Sequence, residues 1–454
     1  MKKYILIILC CLTSFPLWSY NVNMIVEHYS VDQGLPNNTV NCTLKDRDGF
    51  IWFGTWYGLC CFDGVKFKTF NKQEHDSDVP PRKIQRIVED KNGYIWVKTI
   101  DRKLYVFNKV TECFHAVYDD MKNYSENIQV IKLQNTAEGD VLLLTKDKNL
   151  LLAGVDEKGQ VTIKILFDSR NEINKHDYTL KHHVLCETEE YISWIGTDYK
   201  VAAVHKGSEL ASRPADFITS KINSGDKDSF TSFFEDGRKV WVGDRAGIFY
   251  SIDVRTGLVN RYVLSEIKGA ISNLLVTPAG YVYLSVAGQG TYEYDLAERR
   301  LQKINTEMND AMVTHAFIDQ YDKIWFHENE KALIYYDPLN HTAKRFPFTM
   351  FGKITTLYSE DAGERGLFFL SPAGEAWLFD REHAEMVYIN KLKQLSNDRA
   401  NQQFYHLMLD NDGVLWLSSA DEGVYCMNFP KKQFNLLSLS LIHISEPTRH
   451  SLIS

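Results

Sequence analysis

Two to six residues after a recurrent large apolar residue, usually tryptophan, this sequence places aromatic and charged side chains that can grip a polar ligand. They are Trp56 and Tyr57, Asp101 and Arg102, Asp198 and Tyr199, Asp244 and Arg245, and His327 and Glu328, with Gln289, Asp421 and Glu422 at comparable places. An aromatic pair at a hairpin tip can stack on a sugar ring, while carboxylates and arginine take its hydroxyls or a sulfate or uronate group. Trp56 and Tyr57 stand where a tight turn would prefer small polar residues. The competing reading is that such tips pack on a neighbouring domain or face water.

Other chemistries fit less well, and no catalytic residue, metal or cofactor is assigned. Glycoside hydrolysis needs two carboxylates flanking one bond, but a chain with acids in every repeat always offers such pairs. The sialidase turn Ser-x-Asp-x-Gly-x-x-Trp is out of register with Asp48-Gly49. Asp46, Asp48 and Gly49 resemble part of a calcium loop that lacks its distal bidentate glutamate. Cys60-Cys61 invites comparison with quinone-dependent dehydrogenases, yet adjacent residues inside a strand point to opposite faces, too extended for an easy vicinal bridge. Cys42, Cys113, Cys186 and Cys426 show neither zinc-ligand nor disulfide-framework spacing, so most of the cysteines read as small buried apolar residues. A net charge of -8 without a dense Lys/Arg block gives no footprint for a phosphate backbone, so nucleic acid is excluded as a partner.

The elements that must position these residues repeat. The unit is an alternating strand, an acidic turn ending near glycine, an apolar strand centred on tryptophan, a second turn and an aromatic-rich strand. It is clearest at 40–70, 84–109 and 407–429. The central apolar position falls at Trp52, Trp96, Leu142, Trp194, Trp241, Tyr283, Trp325, Phe368 and Trp416, so nine units are visible at spacings of 42 to 52 residues. About 45 residues with period-two segments and no 3.6-residue periodicity predict one four-stranded β-propeller blade per unit, and so an all-β fold. The tryptophan is expected to fill the space between adjacent blades. The Asp-x-x-Gly turns at 46–49, 90–93 and 410–413 read as hairpin chemistry. Loops joining the second strand to the third are expected to share a face with the connections between blades. Ile25–Tyr29 reads as a last strand that closes the ring and removes a free sheet edge.

The segments YSVDQGLPNNTV and DRDGFIWFGTWYGLCCFDGVKFKTF resemble the regulator propeller repeat of the periplasmic sensor region of hybrid two-component histidine kinases, especially those of Bacteroidetes. The resemblance is strong over 29–109 and 407–429, and is carried between them by WIGTD at 194–198 and WVGDRAGI at 241–248. It implies two consecutive propellers, usually seven-bladed, then an immunoglobulin-like domain, one membrane helix, a kinase with receiver and a helix-turn-helix output domain. None of these later parts is read in these 454 residues. What it implies for function is a non-enzymatic, ligand-sensing domain of a membrane receptor that binds an oligosaccharide and controls glycan-utilisation genes. Its partners would be the remaining receptor domains and, in the full-length protein, a second copy. The alternatives are a propeller hydrolase or lyase acting on glycans, or a protein-interaction scaffold.

Lys2, Lys3 and the apolar run from Tyr4 to about Leu12 read as a secretory signal over 1–20, which would deliver the chain to the periplasm. Repeats occupy 24–430, as a seven-bladed ring with the start of a second or as one larger ring. KKQFNLL at 431–437 resembles a strand opening a further propeller. Residues 438–454 do not continue the repeat and look like translated adapter sequence, hence a non-native tail.

Overall fold

The computed structural model describes residues 25–70, 80–122, 129–147, 149–168, 180–188, 190–196, 201–206, 215–216, 230–304, 313–328, 331–351, 358–361, 366–371, 375–391 and 404–428. The signal segment 1–20, the strand expected at 431–437, the tail 438–454 and the candidate residues Asp198 and Tyr199 lie outside the described residues.

Among the described residues the strands sort into nine four-stranded antiparallel sheets. Numbered as blades 1 to 9, they begin with the first strands Val40–Lys45, Ile84–Glu89, Val130–Asn135, Leu180–Glu187, Phe230–Glu235, Ile271–Val276, Val313–Ile318, Tyr358–Asp361 and Phe404–Leu409. Each apolar cluster spans two neighbouring blades. The Trp52 cluster joins blades 1 and 2, the Trp96 cluster blades 2 and 3, and the series continues until the Trp416 cluster joins blade 9 to blade 1. The chain is therefore a β-propeller whose ninth sheet packs against its first. Both faces of each small sheet are apolar, and only neighbours on either side can bury them.

The ring is tied where it meets itself. Ile25–Tyr29 pairs antiparallel with Val424–Asn428, Ile25 opposite Asn428 and Tyr29 opposite Val424, and so supplies the fourth strand of blade 9. On the other side of that blade Trp416 lies 5.8 Å from the Phe53 ring, and the Thr43 and Ser418 hydroxyls are 2.6 Å apart.

The turn motif has a second task beyond shaping the hairpin. In blade 1 one carboxylate oxygen of Asp46 accepts the Asp48 and Phe50 amides at 3.0 and 2.9 Å, while the other accepts the Trp52 indole N–H at 2.7 Å. Asp90 holds Trp96, Asp319 holds Trp325 and Asp410 holds Trp416 in the same way, at 2.9, 3.2 and 3.1 Å. Asp236 reaches Trp241 across a turn one residue shorter. A buried indole thus gains its partner and the turn its anchor from a single side chain. Two residues after the tryptophan, Gly54 is needed because a Cβ there would stand 2.6 Å from Ile84 Cγ2 of the next blade. Gly243 repeats this against Ile271 at 2.7 Å.

Blade 4 departs from the expected pattern. Its first turn runs through Thr188, whose hydroxyl accepts the Tyr191 amide, and Ser193 then takes the slot predicted for Trp194. A one-residue slip turns every side chain of a strand over. Trp194 accordingly packs back on blade 3, 5.2 Å from the Phe167 ring.

Cys60 and Cys61 do point to opposite faces, one into the core shared with blade 9 and the other into that shared with blade 2. Both are free, and burial pushes each thiol up to about 12, so neither is poised to react. No helix among the described residues is long and apolar enough to cross a membrane.

Candidate ligand face and its pocket

The loops after the second strands and the segments leading into each blade share one end of the ring, held by main-chain bonds. Trp56 N–H donates to Thr39 O, Lys83 N–H to Trp56 O and Ile100 N–H to Lys83 O, at 3.2, 2.9 and 2.9 Å. Val130 N–H donates to Arg102 O at 2.9 Å, and Lys146 N–H to Gln129 O at 2.8 Å. The candidate loops of blades 1 and 2 are therefore laced to one another through Lys83. Equivalent bonds recur at Ala287 to Ala270 and Gly423 to Asn38.

The predicted residues divide by burial. Trp56 and Tyr57 are 40% and 64% exposed, with the Lys83 ammonium 5.2 Å from the Trp56 ring centroid. Asp101 and Arg102 are also exposed, as is Arg245 on the separate blade 5. Asp244, by contrast, is fully buried at the end of a second strand, where it accepts the Ala246 and Ile248 amides at 2.8 Å and shapes its own turn. His327 and Glu328 fall within a second strand of blade 7, Ile324–Glu328. Glu328 is buried against Arg345, whose guanidinium donates to it at 3.0 and 3.2 Å. His327 is partly buried beside Phe348, and burial, then the nearby His315, lowers its pKa. Gln289 and Glu422 serve their own blades, Gln289 through the Lys268 amide and Glu422 through the Tyr425 hydroxyl.

Asp101 and Arg102 line a cavity of ≈ 300 Å³ at the edge of blade 2. Leu104, Tyr105, Val117 and Met121 supply apolar walls and are themselves nearly inaccessible, Met121 closing the short helix Tyr118–Met121. Lys103, Tyr118 and Gln129 also border it. Burial works against the charge on Asp101, yet the Thr99 hydroxyl at 2.5 Å and Lys103 Nζ at 3.3 Å hold its carboxyl below the usual range. Arg102 has a left-handed backbone, φ 69°, which non-glycine residues adopt at some cost. Its guanidinium pairs with no carboxylate among the described residues.

A neighbouring lysine was not anticipated. Lys98 occupies in blade 2 the place that Gly54 and Gly243 hold in theirs, two residues after the tryptophan, and only 6% of it is exposed. Its ammonium donates at 2.7 Å to two neutral acceptors, Gln85 Oε1 and Ile131 O. Burial, then the positive charge of Arg102, draws its pKa down to about 8. The interruption of Trp-x-Gly by Trp96-Val97-Lys98 was the available signal. The short helix and the cavity had none, because they occur outside the repeated part of the unit.

At the opposite end of the ring the acidic cluster of Asp46, Asp48 and Glu89 surrounds an amine. Lys109 Nζ lies 3.0, 2.6 and 2.8 Å from their carboxylates, so these charges join blades 1 and 2 through a lysine.

Among solved structures, the chain resembles the extracellular domain of a one component system from B. thetaiotaomicron at 14% identity and TM-score 0.38, covering 87% of this chain and 65% of that one. It resembles the extracellular domain of a hybrid two component system from the same organism at 14% and 0.33, covering 87% and 58%. BamB from Moraxella catarrhalis is similar at 12% and 0.46, covering 76% and 94%. The chain thus spans less than two thirds of the length of those two extracellular domains. No curated protein matches it in sequence. Residues 34–57, which run from the segment leading into blade 1 through its turn and second strand to Trp56 and Tyr57, match the family described as two component regulator propeller.

Proposed function

We propose that this propeller is the ligand-sensing, non-catalytic part of a two-component membrane receptor, exposed to the periplasm, and that it binds an oligosaccharide on the face bearing Trp56 and Tyr57. The observation that carries this reading is the family match over 34–57, which ends on that exposed aromatic pair. The remaining domains of the receptor would pass the signal to glycan-utilisation genes. Sensing of this kind requires only that ligand bind two arrangements of the receptor with different affinity.

Melting of the purified chain against a panel of oligosaccharides tests the proposal. A ligand at 100 times its Kd adds ~2.7 kcal/mol of stability, and Trp56→Ala with Tyr57→Ala removes that gain. An unchanged gain in the double variant removes the site, and glycan turnover that survives rigorous purification overturns the sensor reading.

A further inference from the structure

The cavity at the edge of blade 2 differs from the open aromatic surface beside it. A pocket of ≈ 300 Å³ is at the lower end of the range for small-molecule sites. Its lining is mainly apolar, with Ala116 and Tyr118 the more accessible of the apolar residues, and so suits a hydrocarbon body. Charge at the mouth is unbalanced in one direction. Asp101 and Lys103 lie 3.3 Å apart and largely cancel, which leaves the guanidinium of Arg102 without a carboxylate among the described residues. A guanidinium without a carboxylate partner beside an apolar recess makes a place that favours one anionic group.

We propose that this cavity binds a small monocarboxylate with an apolar body, its carboxylate on Arg102 and its hydrocarbon part against Ala116 and Tyr118. The ligand is of another class than the oligosaccharide considered above, and the two proposals stand or fall separately. The left-handed turn at residue 102 fixes where the guanidinium starts, since the Arg102 amide donates to Thr99 O at 2.9 Å and its carbonyl accepts the Val130 amide at 2.9 Å.

Phenylacetate is a suitable probe, with phenylacetamide as its uncharged counterpart and glucuronate as a hydroxylated acid. Calorimetric titration of the purified chain is expected to show saturable phenylacetate binding, with phenylacetamide weaker by about tenfold or more, as loss of one charge-assisted contact implies. Arg102→Asn keeps a residue that tolerates the left-handed backbone, so it should fold as the parent does and bind phenylacetate about tenfold more weakly or worse. Arg299→Asn makes the same change at another exposed left-handed turn, φ 53°, and should bind as the parent does. Ala116→Leu narrows the cavity and should also weaken binding. The proposal is overturned if phenylacetate does not bind, if the amide binds equally well, if Arg102→Asn retains full affinity, or if glucuronate is preferred. The last result would assign the cavity to the saccharide instead. None of these outcomes depends on Trp56 or Tyr57.

Discussion

The two ends of the ring use charge in opposite ways. At the turn end a cation from one blade repeatedly reaches acids of its own blade and of the blade before it. Lys109 bridges Asp46 and Glu89, Lys206 bridges Glu138 and Glu187, and Arg381 bridges Asp319 and Asp361. Across the closing junction Lys45 meets Asp410 and Asp412. At the loop end no such series recurs among the described residues. There Trp56, Tyr57, Ile100 and Tyr118 are exposed in the sector of blades 1 and 2, and Arg102 and Lys98 stand without carboxylate partners. What repeats with the blade holds the ring together. What breaks the repeat is free to be selected for something else, and that is where a ligand site is best sought.

The largest effect separating the two classes should come from the repeated slot. Trp96 is fully buried between blades 2 and 3, and its indole N–H is bonded to Asp90. Trp96→Ala should cost about 3–5 kcal/mol in denaturant unfolding. A loss below about 1 kcal/mol would mean that the slot is not a structural position at all. The clamp comes next. Lys109→Met would leave Asp46, which is buried, and Glu89 without their shared ammonium. Removing one partner of a fully buried pair costs about 3–5 kcal/mol. Lys109 keeps a side-chain exposure of 17%, so about 2–3 kcal/mol is expected here. If Lys109→Met proves neutral, the turn end is decorated with ion pairs and not held by them.

Two buried bases at the loop end sharpen the contrast through pH. Burial, and then Arg86, draws His406 down to about 4, and its Nδ1 has no hydrogen-bond partner among the described residues. Between pH 6.5 and 4 the unfolded chain therefore binds the proton that the folded chain refuses, and stability falls as the pH is lowered through that window. His406→Phe should flatten that part of the melting profile. Lys98, down to about 8 by burial and Arg102, acts at the other end of the scale. Between pH 8 and its unperturbed value near 10.4 the unfolded lysine is still protonated and the folded one is not, so stability rises with pH. Lys98→Met should lose that slope while gaining stability at pH 7. A carboxylate bound at Arg102 would oppose the Lys98 shift, so the slope should shrink in saturating phenylacetate.

Much of this architecture was legible because it recurs. Nine apolar positions at a blade-sized spacing, the Asp-x-x-Gly turns and the closing strand at 25–29 could be read from period and residue type. The bond from Asp46 to Trp52 could not, since spacing does not show that a turn carboxylate has an oxygen left over for an indole six residues on. Blade 4 defeated the reading for a related reason. There the turn closes from Thr188 to Tyr191, one residue sooner than in blade 1, and the tryptophan that looks correctly spaced lands on the other face. Among the candidate site residues, type and spacing placed Trp56, Tyr57 and Arg102 on exposed loops. They could not distinguish them from Asp244 and Glu328, whose carboxylates are buried in turn and strand contacts.

The smallest expected effect on stability is the one that most directly tests the division. Tyr57 is 64% exposed, so replacing it by alanine should change the unfolding free energy by no more than about 0.5 kcal/mol. The Lys83 ammonium lies 5.2 Å from the centroid of the Trp56 ring, a contact of about 0.5–1 kcal/mol at an exposed site. The main-chain bonds through which residue 56 joins Thr39 and Lys83 survive its truncation. Trp56→Ala with Tyr57→Ala should therefore cost about 1 kcal/mol or less, several times less than Trp96→Ala although two aromatic rings are removed in place of one. Denaturant unfolding of the two variants side by side gives the ratio. If the loop pair proves as costly as the slot, then Trp56 and Tyr57 are packing residues, and the separation between a holding end and a binding end fails at the place where it was drawn most sharply.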